Sequence, residues 1–259
     1  MKLSLIVGLA VIALVGCDQA PEGNQGANAP VQIEIDADGF FTDVTQFHEE
    51  SKKIRTIGVK PGRDAQALDR INKRYELIIE PHKENLKGAK ILDFGSYDGR
   101  WTYAAIDAGV EHVTGIEINS DFTDAAEANM QALGVSPDKY DYVVGDLLSV
   151  LKEIEPGEYD GVICAGVYYH ITYHVELMKE LKRLDLDWII MDTTVVTSDK
   201  PIVQWSVAPY GLEGTPSQSA VELIAEQEGF EYKYVPSDHF GTNSMWDYNT
   251  GNRITMLLF

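Results

Sequence analysis

Residues 90–99 read KILDFGSYDG and decide the fold, because a short apolar strand there runs directly into a turn that contains two glycines. The strand is predicted over Lys90–Phe94, and Gly95 and Gly99 stand where the backbone must bend sharply or approach a ligand closely. Residues 100–108 predict a helix whose N-terminus points at the turn. The glycine spacing does not match G-x-G-x-x-G, so a nicotinamide or flavin dinucleotide is not the expected ligand.

On both sides of this turn, short β-branched runs alternate with longer amphipathic stretches. Further strands are predicted over residues 112–118, 140–144, 161–165 and 188–193, with helices over residues 121–133, 147–154 and 174–184 between them. A loop is predicted over residues 201–216, followed by a helix over 217–228 and two closely spaced strands over 231–235 and 253–259. This order predicts an α/β, Rossmann-like doubly wound sheet, mostly parallel with an antiparallel C-terminal edge strand and with helices on both faces.

Acidic side chains accompany the first three predicted strands. Asp93 lies in the first strand, Glu117 closes the second, and Asp146 comes shortly after the third. Because open α/β sheets bind ligands at the carboxyl ends of their strands, these groups are expected around one crevice. Glu117 could accept hydrogen bonds from both hydroxyls of a ribose, and Asp146 one from an adenine amino group. Asp93 suits an ammonium group or a water network beneath the turn.

From about residue 75 to residue 259 the chain resembles the class I S-adenosylmethionine-dependent methyltransferases. The glycine motif of that family appears as ILDFGSYDG, its ribose-binding acid as Glu117 in VTGIEIN, and its adenine-side acid as Asp146 in VVGD. Tyr97 departs from the family, because it stands where the middle glycine of the motif often lies and narrows the turn. The resemblance implies that S-adenosyl-L-methionine is the cofactor, bound by Asp93, Gly95, Ser96, Tyr97, Gly99, Glu117, Ile118, Asp146, Leu147, Ala165 and Gly166.

The loop after the fourth strand, which the resemblance places beside the donor methyl group, carries the catalytic candidates. Residues 164–170, CAGVYYH, and residues 81–95 upstream are similar to a branch that includes tRNA wobble-uridine-modifying enzymes and many small-molecule methyltransferases. His170 is a candidate general base, since imidazole exchanges protons near neutral pH, and the alternative is that it caps the next helix or orders the loop. Tyr169 is expected to line the pocket by stacking.

The remaining polar candidates are given weaker roles. Cys164 lies within an apolar strand and is interpreted as core filler. Asp192 could position a substrate or bond to a neighbouring loop. No metal is predicted, because His112, His174 and His239 have no metal-ligand spacing with other His, Cys or carboxylate side chains.

The N-terminus has its own signal. Residues 3–16 form a run of 14 residues without a charge, which is too short to span a bilayer comfortably and has the length of a signal-peptide core. Residues 14–17, LVGC, resemble the lipobox of bacterial lipoproteins, in which the cysteine is diacylated. The predicted organisation is therefore a signal peptide over residues 1–16, a lipid-attachment Cys17 and flexible tether over 17–30, an N-terminal helical cap segment over 31–89 and a methyltransferase domain over 90–259. The expected location is a membrane-anchored lipoprotein of the bacterial cell envelope, and the alternative is cytoplasmic.

Charge restricts the partners. The net charge of -20 disfavours nucleic acid, although residues 52–90 carry 11 Lys and Arg against 5 Asp and Glu, a local charge of +6. This segment is either a solvated helical face or a lid that attracts an acceptor bearing phosphate or carboxylate. The expected acceptor is a small molecule, with Trp205, Tyr210, His239, Trp246 and Tyr248 in the loops around it. The alternatives are a tRNA-modifying methyltransferase and a membrane-anchored lipoprotein that keeps the fold as a non-catalytic binding module.

Overall fold

The computed structural model describes residues 39–47, 63–209, 211–237, 240–241 and 243–259, all of which belong to one compact unit, Ile35–Phe259. The helices are α1 (Arg63–Ile78), α2 (Lys83–Leu86), α3 (Arg100–Asp107), α4 (Ser120–Ala132), α5 (Leu147–Leu151), α6 (His174–Arg183), α7 (Gln218–Gln227) and α8 (Trp246–Asn249). The strands are β1 (Lys90–Phe94), β2 (His112–Glu117), β3 (Tyr140–Val144), β4 (Gly161–Ala165), β5 (Trp188–Thr194), β6 (Val203–Ala208), β7 (Gly211–Pro216), β8 (Tyr232–Tyr234) and β9 (Arg253–Leu258). Short 3-10 turns include Tyr168–His170 and Asn243–Met245.

Seven of the strands form one sheet in the order β3-β2-β1-β4-β5-β9-β8. The first five strands in that order are parallel, and β9 pairs antiparallel with both β5 and β8. The order reverses between β1 and β4, which opens a crevice at the carboxyl ends of these strands. The predicted doubly wound α/β sheet with an antiparallel C-terminal edge is confirmed.

Apolar side chains pack on both faces of the sheet. All five residues of β4 are buried. In β1, the neighbouring Ile91 and Leu92 belong to two different core clusters, since successive side chains of a strand point to opposite faces. Trp101 of α3 joins the first cluster and Met178 of α6 joins the second, so helices cover each face.

The structure corrects one prediction of secondary structure, in the segment taken for a loop. Strands β6 and β7 form a two-stranded antiparallel hairpin over residues 203–216. Gly211, Gly214 and Pro216 favour a loop in the sequence, because glycine and proline are depleted in strands. Here Gly214 is required instead, since a Cβ at that position would lie 2.8 Å from the ring of Trp205.

Some predictions concern residues that the structure does not describe. These are the signal peptide, Cys17 and the tether at the N-terminus, and the loop residues Tyr210 and His239. Within the described ranges, no helix is long and apolar enough to cross a membrane.

Candidate functional site

The turn between β1 and α3 has positive φ angles at both of its glycines, a conformation that glycine adopts readily. Gly95 and Gly99 have φ angles of +59° and +81°. A Cβ at Gly95 would lie 2.6 Å from Cγ2 of Val167, and one at Gly99 would lie 2.7 Å from the hydroxyl of Tyr142. Both positions therefore require glycine, because their φ angles are positive and because no space is left for a Cβ atom.

Tyr97 adopts the left-handed conformation that a glycine would favour, with a φ of +52°. This conformation costs a non-glycine residue about 1 kcal/mol. The ring of Tyr97 packs 4.5 Å from Phe122, and the guanidinium of Arg100 lies 5.3 Å from the ring centroid. Tyr97, the residue that departs from the family motif, therefore adopts the backbone conformation that the turn requires, and its ring packs against Phe122 and Arg100.

Glu117 lies at the end of β2 with its carboxylate oriented by two backbone amides. Its Oε2 accepts from the N–H of Tyr97 at 3.2 Å and its Oε1 accepts from the N–H of Asn119 at 3.0 Å. The residue is only 7% exposed, whereas the next side chain, Ile118, is 71% exposed. A fixed carboxylate with remaining lone pairs thus lies beside an exposed apolar side chain, a combination that suits a ribose and an attached base.

Asp146 has a clear structural role as the N-cap of α5. Its Oδ1 accepts from the backbone N–H of Ser149 at 3.0 Å and from the hydroxyl of Ser149 at 2.8 Å. The hydroxyl of Tyr173 donates to Oδ2 over 3.5 Å. The following Leu147 is buried in the core. Asp146 therefore orders the end of β3 whether or not it also contacts a ligand.

Asp93 and Ser96 present buried oxygen atoms that the protein does not satisfy. Oδ2 of Asp93 accepts from the hydroxyl of Thr102 at 2.7 Å, but Asp93 Oδ1 and Ser96 Oγ have no hydrogen-bond partner among the described residues. Burial raises the pKa of Asp93 to about 7, and the nearby carboxylates of Glu117 and Asp98 add to this rise. An unsatisfied carboxylate beneath a glycine turn fits a cationic or hydrogen-bond-donating ligand group.

Ala165 is the last residue of β4, and Gly166, which follows it, lies close to helix α1. Gly166 has a φ of +89°, and a Cβ there would lie 3.7 Å from Nη2 of Arg74. The guanidinium of Arg74 is 5.2 Å from the ring centroid of Trp101. Arg74 entered the sequence analysis only as part of the basic segment, residues 52–90. In the structure its side chain lies close to Gly166, which follows β4.

Arg74 belongs to a buried network of ion pairs. Asp192 accepts from Arg74 at 2.7 Å and from Arg253 at 2.8 Å, and Tyr248 and Thr255 also donate to it. Burial alone would raise the pKa of Asp192, but the two guanidinium groups hold it well below its usual range. Asp192 therefore joins α1 and β9 to the end of β5.

Asp247 extends this network toward the protein surface. It accepts from Arg70 at 2.6 Å and from Arg253 at 2.8 Å. Burial alone would raise the pKa of Asp247, but its bonds to Arg70 and Arg253 lower it. For Arg70 and Arg74, the interpretation of α1 as a solvated basic face is wrong, because both side chains are committed to buried carboxylates.

His170 and Tyr169 lie on the 3-10 turn that follows the β4 loop. Nδ1 of His170 is 2.5 Å from Oε1 of Glu213, and the side chain of His170 is about half exposed. The ring of Tyr169 lies 4.0 Å from the imidazole and 5.3 Å from the guanidinium of Arg253. Glu213 was missed in the sequence, because its place in strand β7 was taken for a loop.

Cys164 has the core position that the sequence predicts. Cys164 is fully buried in the core, and burial raises the pKa of its thiol to about 12. The described part of the chain has no group of three or more His, Cys, Asp or Glu placed to hold a metal ion.

Comparison with known proteins agrees with this geometry. Residues 91–184 match the family described as Methyltransferase domain. This match covers 94 of the 259 residues. The chain is similar to the tRNA U34 carboxymethyltransferase of Idiomarina loihiensis, with 27% identity over 159 residues that cover 59% of this chain and 49% of that protein. The chain thus spans about half the length of this curated relative.

Solved structures show the same fold. A SAM dependent methyltransferase from Archaeoglobus fulgidus superposes with a TM-score of 0.51 at 16% identity, covering 82% of this chain and 98% of that one. The N-terminal domain of EvdMO1, solved with SAH bound, gives a TM-score of 0.53 at 18% identity, covering 83% of this chain and 95% of that one. At these identities the likeness establishes the fold of the chain alone.

Proposed function

We propose that the protein is an S-adenosylmethionine-dependent methyltransferase that acts on a small-molecule acceptor. The observation that carries the proposal is the Glu117 carboxylate, fixed by the N–H groups of Tyr97 and Asn119 at the end of β2. It faces a turn in which a Cβ at Gly95 would clash, within a domain that matches methyltransferases.

Each part of the cofactor has residues here that could hold it. Glu117 would bind the ribose, Ile118 would cover one face of the adenine, and Asp93 would lie beneath the amino-acid portion. When bound, the sulfonium group supplies an activated methyl group, so the protein mainly has to orient the acceptor and exclude water.

His170 is the proposed general base. If Nδ1–H donates to Glu213, the other ring nitrogen, Nε2, is left to accept a proton from the acceptor. The same carboxylate fixes the direction of the imidazole, as a third group does in other nucleophile and base arrangements. Tyr169 packs against His170 and is proposed to line the acceptor site.

A tRNA acceptor is the second candidate, favoured by the name of the relative at 27% identity. The net charge of -20 opposes it, because nucleic-acid binding draws on unpaired Lys and Arg. Arg70 and Arg74, two of the eleven cations of the basic segment, are already paired with buried carboxylates. A small molecule therefore remains the preferred acceptor.

Membrane attachment belongs to the same proposal and rests on the lipobox-like residues 14–17. Lipidated Cys17 would tether the domain to the cell envelope through residues 18–30. A Cys17→Ser variant is expected to lose labelling by a palmitate analogue and to leave the membrane fraction. Unchanged fractionation of that variant would contradict attachment through a lipidated Cys17.

Calorimetric titration with S-adenosylhomocysteine tests the cofactor site. Glu117→Ala should weaken binding by about 1.5 to 3 kcal/mol, the range for hydrogen bonds to a charged group. The matched control is Glu111→Ala, which removes an exposed carboxylate paired with Lys90 at 3.4 Å. Thermal melts of both variants must show that they fold. No binding by the folded wild-type protein, or equal binding by both variants, would contradict the proposal.

A further inference from the structure

A polar cleft lies between the β6–β7 hairpin and the segment that leads into β9. It has a volume of about 650 Å3, and its floor is the end of β5 and the residues that follow it. One wall carries Gln204 and Thr215, and the opposite wall carries Trp246 and Asn252. The side chain of Trp246 is 60% exposed, so an aromatic face is open to a ligand.

Three of these lining groups have unused hydrogen-bonding capacity. The Gln204 amide, the Thr215 hydroxyl and the Trp246 indole N–H bond to no other residue that the structure describes. Strand pairing places Gln204 directly opposite Thr215, so their side chains share one face of the hairpin. The wall therefore offers adjacent neutral donors and acceptors.

The charged groups of the cleft are, by contrast, already occupied. Arg70 and Arg253 both donate to Asp247, and Arg253 also donates to Asp192. An anion would have to compete with these carboxylates for the guanidinium groups. An apolar ligand would bury the amide of Gln204 and the hydroxyl of Thr215 without hydrogen-bond partners, which is unfavourable.

Two residues that line the cleft, Thr215 and Arg253, are close to residues that contact the proposed general base. Glu213 and Thr215 are two residues apart in β7, so their side chains point to the same face about 7 Å apart. Glu213 holds His170, and Arg253 packs against Tyr169 while lining the cleft. The cleft therefore lies on the face of the hairpin that carries Glu213, the partner of the imidazole.

We infer that this cleft binds the acceptor and that the acceptor is a neutral saccharide unit. A sugar ring has an apolar C–H face that packs on an indole and a rim of hydroxyl groups that both donate and accept. The cleft supplies these two kinds of contact through Trp246 and the Gln204–Thr215 pair. This inference rests on the proposed function, because it assigns the acceptor of the same site.

The test uses the protein saturated with S-adenosylhomocysteine and a probe set of methyl glucoside, methyl mannoside, methyl galactoside and glucuronic acid. Saturation-transfer NMR and Trp fluorescence report binding, and a separate titration of S-adenosylhomocysteine reports the cofactor site. At least one neutral glycoside is expected to bind more tightly than glucuronic acid. Trp246→Ala should weaken that binding at least tenfold.

The matched control is Val207→Ala. Val207 is 86% exposed and lies on the opposite face of the same hairpin from Gln204. This variant should bind the glycoside within twofold of the wild type, and both variants should bind S-adenosylhomocysteine normally. Absence of glycoside binding, preference for the acid, or equal losses in the Trp246 and Val207 variants would each overturn the inference. A loss of S-adenosylhomocysteine binding alone would count against the cofactor proposal instead.

Discussion

Asp93→Asn provides a quantitative test of the buried carboxylate beneath the glycine turn. Burial raises the pKa of Asp93 from 3.8 to about 7, a difference that corresponds to at most about 4 kcal/mol between the two protonation states. Because folding raises the pKa of this acid, the folded state binds its proton more tightly than the unfolded state. The destabilisation is absent below about pH 4, grows between about pH 4 and 7, and is complete above that range.

Asparagine keeps an oxygen for Thr102 and carries no charge at any pH. The unfolding free energy of Asp93→Asn relative to wild type should therefore rise by up to about 4 kcal/mol between pH 4 and pH 8. Urea unfolding of both proteins across this range measures the difference, and the comparison cancels the titration of the other groups. A difference that stays constant with pH would refute the assignment of a raised pKa to Asp93.

The raised pKa of Asp93 also predicts a change in its protonation when the cofactor binds. A cationic group placed near Asp93 lowers its pKa, so binding near pH 7 should release protons. Calorimetry of S-adenosylhomocysteine in buffers of different ionisation enthalpy would detect this release in the wild type and not in Asp93→Asn.

Three further variants address the turn, the base and the ion-pair network. Gly95→Ala should lose cofactor binding through its 2.6 Å clash with Val167, whereas Gly134→Ala, with a similar φ of +69° and open space around it, should not; calorimetry distinguishes them. Glu213→Gln should lower kcat at least tenfold with unchanged cofactor affinity, measured as methyl transfer to the acceptor, and an unchanged kcat would reduce Glu213 to a structural contact. Asp192→Asn should cost about 3 to 5 kcal/mol in urea unfolding because the buried guanidinium of Arg74 loses its carboxylate partner and that of Arg253 loses one of two, and a loss below about 1 kcal/mol would contradict the network.

The sequence was sufficient for the main sheet and the glycine turn because those signals are local. The five residues of β1 run directly into Gly95, and β4 is apolar throughout, so each strand shows in a short window. Acids such as Glu117 were found because they follow strands whose carboxyl ends meet at one edge of the sheet.

The residues missed depend on contacts between distant parts of the chain. Arg74 and Asp192 are 118 residues apart, and His170 and Glu213 are 43 residues apart, so no window of sequence contains either pair. The hairpin was missed for a different reason. Gly211 and Gly214 lower the strand signal, although Gly214 makes room for the ring of Trp205.

Methyl transfer is the most direct test of the central proposal that this domain is an active methyltransferase. The folded protein is incubated with S-adenosylmethionine carrying a trideuterated methyl group and a metabolite extract, and products are followed by mass spectrometry. The wild-type protein should form a product that carries the labelled methyl group. Glu111→Ala should form the same product, and Glu117→Ala should not. Normal S-adenosylhomocysteine binding without any labelled product, in extracts that include glycosides, would contradict catalysis and leave a binding module with a methyltransferase fold.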